Sequence, residues 1–336
     1  MESALGAAIL AALVVYALSG GADFGGGVWD LLATGPAARR QRQAIEQAIA
    51  PIWEANHVWL ILAIVLLFSA FPRAFAVIMT ALHIPLTVVL VGIVLRASAF
   101  VFRKYDVQDD AVHHRWSLVF GVASLLTPFF LGLSLGALAS GEIRADAGLA
   151  RTGFFAGWTQ PFAIACGLFA QGLFAFLAAV YLTVDTADDL DVQRDFRARA
   201  LLSGVLLAPA ALLVFLLAKS GAPVIYQGLT RWWAPALLAA TSVCAVGALV
   251  ALGTRRFRIA RSAAAAQVAL ILIGWGLAQY PHIVVPDITL HNAATEPQVL
   301  RLIAFALVAG TIVLVPSFIY LFRVFKSGTA GSASAD

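Results

Sequence analysis

Long apolar stretches separated by short polar breaks run through the whole chain. Stretches long enough to cross about 30 Å of hydrocarbon occur at about 4–33, 54–72, 74–102, 116–140, 159–183, 198–218, 232–253, 262–281 and 299–323. The pattern predicts nine transmembrane helices. Breaks such as RRQRQ, FRKYD, DTADDLDVQRD and RRFRIAR mark their ends, whereas the boundary between the second and third stretches rests on Pro72 and Arg73 alone.

Composition narrows the class further. Of 336 residues, 61% are hydrophobic and 12% charged, against roughly 25% charged in an average soluble domain. The mean hydropathy is +0.90. These values exclude an ordinary water-soluble fold, and they exclude the polar, charged composition that keeps a chain disordered. The expected architecture is an all-α polytopic integral membrane protein with one transmembrane domain over 1–326, followed by a small, polar, disordered tail at 327–336.

A net charge of +4 invites a nucleic-acid reading only if the bases form a stripe on a soluble face. Here they sit in the breaks, where Lys and Arg report membrane orientation instead. Fifteen of them fall in one set of alternate loops; the other set holds Arg73, Arg144, Arg151, Lys219, Arg231 and Arg301, and Arg96 lies inside a span. The rich side belongs in the cytoplasm, which places the N-terminus outside and the C-terminus inside. The opening residues MESALGA carry an acid and no base, which argues for an uncleaved first span. Cys166 and Cys244 both lie in apolar runs, so no disulfide framework is expected. No internal repeat is visible.

A charge at the centre of a spanning helix costs about 2.5 to 3.5 kcal/mol on insertion scales, so each needs an account. In SGGADFGGGVWD, Asp23 lies among glycines, and a rise of about 1.5 Å per residue puts it about 30 Å along its helix, near the inner boundary. Asp30 follows on roughly the same face. The glycines allow either close approach by a neighbouring helix or local unwinding. In APIWEANHVWL, Glu54 and His57 lie three apart at the cytoplasmic entrance of the second span. They can relay protons, or Glu54 can simply favour a helix N-terminus while Trp53 and Trp59 serve as belt aromatics. Arg96 is expected to pair with Asp23 or Glu54 rather than to snorkel. His83 falls at a different depth from His57, so the two cannot share a site. His113 and His114 lie in an inner loop, and His282 and His291 lie outside near Asp287 and Glu296. None of these patterns has the spacing of a metal or nucleotide enzyme.

At these residues the sequence resembles a known family, subunit II of the cytochrome bd-type quinol oxidases. GADFGGGVWDLL (21–32) is similar to that family's first-helix signature, of the form DGFDLGVG, with Asp23, Gly25 and Gly27 matching. IAPIWEANHVWLI (49–61) resembles its second-helix motif, approximately SIAPVWDGNEVWLI, in which Trp53, Asn56 and Trp59 recur and Glu54 falls on an Asp. Phe71 and Pro72 match a further FP pair, LRASAFVFR (95–103) matches LRGVAFEFR, and YPHIVVPDITLHNAAT (280–295), with Asn292, matches a motif ending in YNASSS.

The resemblance implies two four-helix bundles plus one peripheral helix. It also implies a place in a bacterial inner-membrane oxidase of the aerobic respiratory chain. That enzyme takes electrons from quinol, reduces dioxygen to water and builds proton-motive force. In such an enzyme haems b and d belong to a partner, subunit I, so this chain would bind no cofactor of its own. A structurally held quinone and a small accessory subunit are left open. Subunit II would stabilise subunit I as a heterodimer and contribute a cytoplasmic proton path through Glu54, Asp23 and His57, with Arg96 in a structural ion pair. One departure is Val101, where the family motif carries an acid. Read without the resemblance, composition and topology also admit a proton-coupled transporter that binds its ion at Asp23 in a glycine-broken helix.

Overall fold

The structure, a computed structural model, describes residues 1–50, 53–105, 110–146 and 149–327. The expected tail at 327–336 falls almost entirely outside the described residues. Among the described residues, nine helices are long and apolar enough to cross a membrane. They are α1 (Glu2–Leu31), α3 (Trp53–Ala70), α5 (His83–Tyr105), α6 (Asp110–Ala139), α7 (Pro161–Asp185), α8 (Leu190–Gly221), α10 (Ala234–Gly253), α11 (Phe257–Gln279) and α12 (Pro297–Ser327). Three shorter helices join them: α2 (Ala38–Ile49), α4 (Pro72–Ala81) and α9 (Pro223–Leu229). Two hairpins of very short strands, β1 (Ala145–Asp146) with β2 (Leu149–Ala150) and β3 (His282–Val284) with β4 (Ile288–Thr289), lie in the loops between spans.

Two groups of four spans follow from the packing. In one, α1 packs on α3 and α6, and α6 packs on α5; in the other, α7 packs on α8 and α11, and α11 on α10. The groups meet where α7 lies against α1 and α6. The last helix, α12, lies against α3 with no residue of its spanning window buried. This is the arrangement of two bundles and a peripheral helix.

Three local expectations change. The third span begins at His83, not at 74, because Pro72 starts a separate ten-residue helix, α4. That helix ends where Leu82 leaves helical geometry (φ −110°, ψ 21°). Pro85 then sits in the first turn of α5, where its missing N–H has no helical partner to lose. His83 consequently stands exposed at the start of α5, with its ring 5.2 Å from that of Phe154.

The second change is α2, which occupies the stretch read as the polar break RRQRQ. Its buried residues Gln41, Ile45 and Ile49 recur every four positions, a single stripe that lies against α1 and α7. The third is that α1 runs unbroken through its glycine run. The glycines serve close approach rather than unwinding: a Cβ on Gly25 would sit 2.0 Å from the Phe174 carbonyl oxygen of α7, and one on Gly27 would sit 2.1 Å from Ser124 Oγ of α6. The glycine-broken helix of the transporter reading is therefore absent.

Candidate functional site

The centre of the first bundle is a polar cluster wrapped in aromatic rings. Asp23 is 4% exposed on α1, and Asn56, 1% exposed on α3, donates a short hydrogen bond from Nδ2 to Asp23 Oδ2. Tyr16 lies close enough to Asp23 and Arg96 to interact with both electrostatically. The His57 ring is packed 5.9 Å from Tyr16 and 6.1 Å from Phe24. Among the described residues, Tyr16 Oη, Asn56 Oδ1, His57 Nδ1 and two nitrogens of Arg96 are buried without a hydrogen-bond partner. Buried polar atoms ordinarily find partners in protein or water, so this cluster has unused hydrogen-bonding capacity.

Arg96 stands within electrostatic reach of Asp23. Its guanidinium lies 4.8 Å from the Phe24 ring centroid and 5.1 Å from that of Phe120, a cation–π sandwich between α1 and α6. A buried contact pair lies seven residues further along both helices, towards their cytoplasmic ends. Arg103 Nη1 donates to Asp30 Oδ1 at 2.9 Å with both side chains buried, and Glu46 of α2 stands 3.6 Å from Arg103 Nη2. Arg42 of α2 donates to the carbonyl of Asp30 (3.3 Å), which also accepts from the Ala33 amide, and to the carbonyl of Ala33 (3.0 Å), tying α2 to the end of α1. By sequence Arg103 belongs to the break FRKYD among the inner bases. The signal that identifies it is the spacing: Asp23 and Asp30 are seven apart on α1, Arg96 and Arg103 seven apart on α5, and both helices run in the same direction.

The remaining motif residues occupy distinct places. Glu54 is exposed in the first turn of α3. Trp53 packs 5.8 Å from Phe100, and Trp59 5.3 Å from Phe318 of α12. Asn292 is far from the cluster. It ties its own loop by donating to the Asp287 carbonyl (2.8 Å) and accepting from the Thr289 amide (2.8 Å), while its carbonyl accepts from Arg73 (3.2 Å). Of the outer acids and histidines, Asp287 receives a bidentate contact from Arg144 at 2.9 and 3.0 Å, and His291 contacts Glu2. The side chains of His113 and His114 lie outside the described residues.

A cavity of about 320 Å³ opens beside Asp23 and Asn56 and extends along α7 and α11 to Tyr181, Asp185 and Arg261. Its floor is the apolar stripe of α2. Arg261 faces the Tyr181 ring at 4.6 Å and stands 3.5 Å from Asp185. Among the described residues no group of three or more His, Cys, Asp or Glu side chains is placed to hold a metal ion, and the imidazole of the cluster, His57, is flanked by the Tyr16 and Phe24 rings.

Comparison with known proteins gives a consistent picture. The family model described as cytochrome bd terminal oxidase subunit II matches residues 1–325. A protein of Bacillus subtilis (strain 168), provisionally named cytochrome bd menaquinol oxidase subunit II, is 24% identical over 320 residues, covering 93% of this chain and 91% of that one. Subunit 2 of the cytochrome bd-I ubiquinol oxidase of Escherichia coli (strain K12) is 26% identical over 156 residues, 46% of this chain and 41% of that one. A chain of the bd oxidase from Geobacillus thermodenitrificans has the same fold, with a TM-score of 0.80 at 24% identity over 96% of this chain and 98% of that chain. None of these matches supports a transporter. With nine apolar spans among the described residues and a family match across nearly its whole length, the chain belongs to the cytochrome bd terminal oxidase subunit II family.

Proposed function

We propose that this chain is the second subunit of a quinol:dioxygen oxidoreductase of the bacterial inner membrane, paired with a partner subunit that carries haems b and d. In this reading the chain binds no haem, braces its partner through apolar helix faces, and conducts protons from the cytoplasm. The observation that carries the proton role is Asp23: a carboxylate 4% exposed inside a spanning helix, hydrogen-bonded by Asn56 and within electrostatic reach of Arg96. Ionisable groups at such depth are disfavoured by lipid and characteristically serve ion or proton movement.

The division of work follows from position. Glu54, exposed at the inner end of α3, collects protons from the cytoplasmic side. His57, one turn further along α3, borders the cluster. Asp23 holds the proton in the interior, with Asn56 fixing the carboxylate orientation, and passes it towards oxygen chemistry housed in the partner. The haems supply electron transfer and dioxygen reduction there.

Replacing Glu54 with Ala in the purified complex should slow oxygen consumption and proton uptake while leaving the haem absorbance and the ratio of the subunits intact. Unchanged turnover in that variant removes Glu54 from the path.

A further inference from the structure

The cavity beside Asp23 extends to the inner ends of α7 and α11. Ser19, Asp23 and Asn56 line one end; Tyr181, Asp185 and Arg261 line the other. Asp185 is the last residue of α7, and Arg261 lies just beyond the first turn of α11. Both belong to the base-rich, cytoplasmic side, and their side chains are 28% and 32% exposed. Glu54 is not among the residues lining this space.

The lining points to what the cavity holds. Polar side chains stand at both ends, so a file of water would have hydrogen-bonding partners at its entrance and at its terminus, and a volume of about 320 Å³ accommodates several molecules.

We infer that this cavity is a second proton entrance, a water-filled vestibule that connects the Asp185–Arg261 pair at the cytoplasmic surface to Asp23. The inference rests on the reading that Asp23 carries protons. A proton enters from bulk water at the Asp185 mouth and crosses the water file by successive O–H exchange. It protonates the Asp23 carboxylate and leaves from there towards the partner; no other bond changes. Two entrances converging on one carboxylate also account for a chain that carries Val101 where the family motif has an acid, because supply does not depend on the α3–α5 side alone.

The test uses the complete oxidase in proteoliposomes and fills the cavity. Ala48, which lines it on α2, is replaced by Phe in the wild-type and in the Glu54→Gln background. Glu54→Gln alone should retain a measurable fraction of oxygen consumption and proton uptake, and adding Ala48→Phe should lower that residue about tenfold at unchanged haem absorbance. An unchanged residual rate overturns the vestibule. Asp23→Asn checks the premise separately: full turnover there defeats the proton role of Asp23 whatever the cavity does. Should the filled variant fail to assemble, Ser19→Cys in a Cys166→Ala, Cys244→Ala background provides a second readout. A membrane-impermeant cationic methanethiosulfonate should modify it from the cytoplasmic face of inside-out vesicles, and absence of modification from that face overturns the proposal.

Discussion

Arg103 of α5 holds Asp30 of α1 in an ion pair 2.9 Å long, with side chains 3% and 1% exposed. The pair joins two helices of one bundle near the cytoplasmic boundary, and Glu46 and Arg42 attach α2 to the same point. Its environment determines what happens when it is broken. A lone charge left at such a site is uncompensated, and removing one member of a buried pair ordinarily costs about 3–5 kcal/mol.

Arg103→Leu should therefore sharply reduce the yield and thermal stability of the assembled oxidase. The double variant Arg103→Leu, Asp30→Leu should recover most of both, because no charge is stranded. Melting of the purified complex measures this, and a double variant no better than the single one refutes the pair as the cause.

Arg96 offers a contrasting case, since its guanidinium stacks between two aromatic rings. Arg96→Lys keeps the charge but loses the planar group that stacks between Phe24 and Phe120. Desolvated cation–π contacts are worth about 2 kcal/mol. The lysine variant should thus melt clearly below wild type, and equal melting temperatures would show that charge alone suffices.

Asn56→Leu removes the donor to Asp23 while keeping the side chain similar in size. Oxygen consumption should fall to nearly the level of Asp23→Asn, with haem absorbance retained. A rate equal to wild type would mean that Asn56 only packs.

Adjacent glycines on α1 should respond unequally. Gly25→Ala places a methyl 2.0 Å from a backbone oxygen of α7, a contact that cannot be relieved without separating the helices. Overpacking of this kind costs typically about 1–3 kcal/mol. At Gly26 the nearest atom is the Ile49 Cδ1 tip, 3.0 Å away at the end of a flexible side chain. Gly26→Ala should leave assembly and melting almost unchanged, and equal losses at both positions would contradict the packing described here.

The spans were readable because about twenty successive apolar residues have few alternatives in a bilayer. Asp23 was readable because lipid makes any buried acid conspicuous. What escaped the sequence were relations between helices. Arg103 resembles the loop bases around it, and only the three-dimensional pairing of α5 with α1 distinguishes it. The α4–α5 break escaped because both halves are apolar, so hydropathy runs straight across Leu82; the informative signals were Pro72 and Pro85. The helix α2 escaped because its buried stripe contains Gln41, which hydrogen-bonds to Asp195 (2.6 Å) and Arg199 (2.7 Å) instead of facing water.

The position of α1 has a consequence for how the chain is made. This helix touches α2, α3, α6, α7 and α11, yet it is synthesised before all of them, and α7 and α11 follow only after α2 to α6 have been made. During that interval its carboxylate and its glycine-lined groove face lipid or the translocation machinery, with the α7 backbone that will fill the groove not yet translated. A nascent chain arrested before α7 therefore displays an unfilled glycine groove beside a carboxylate.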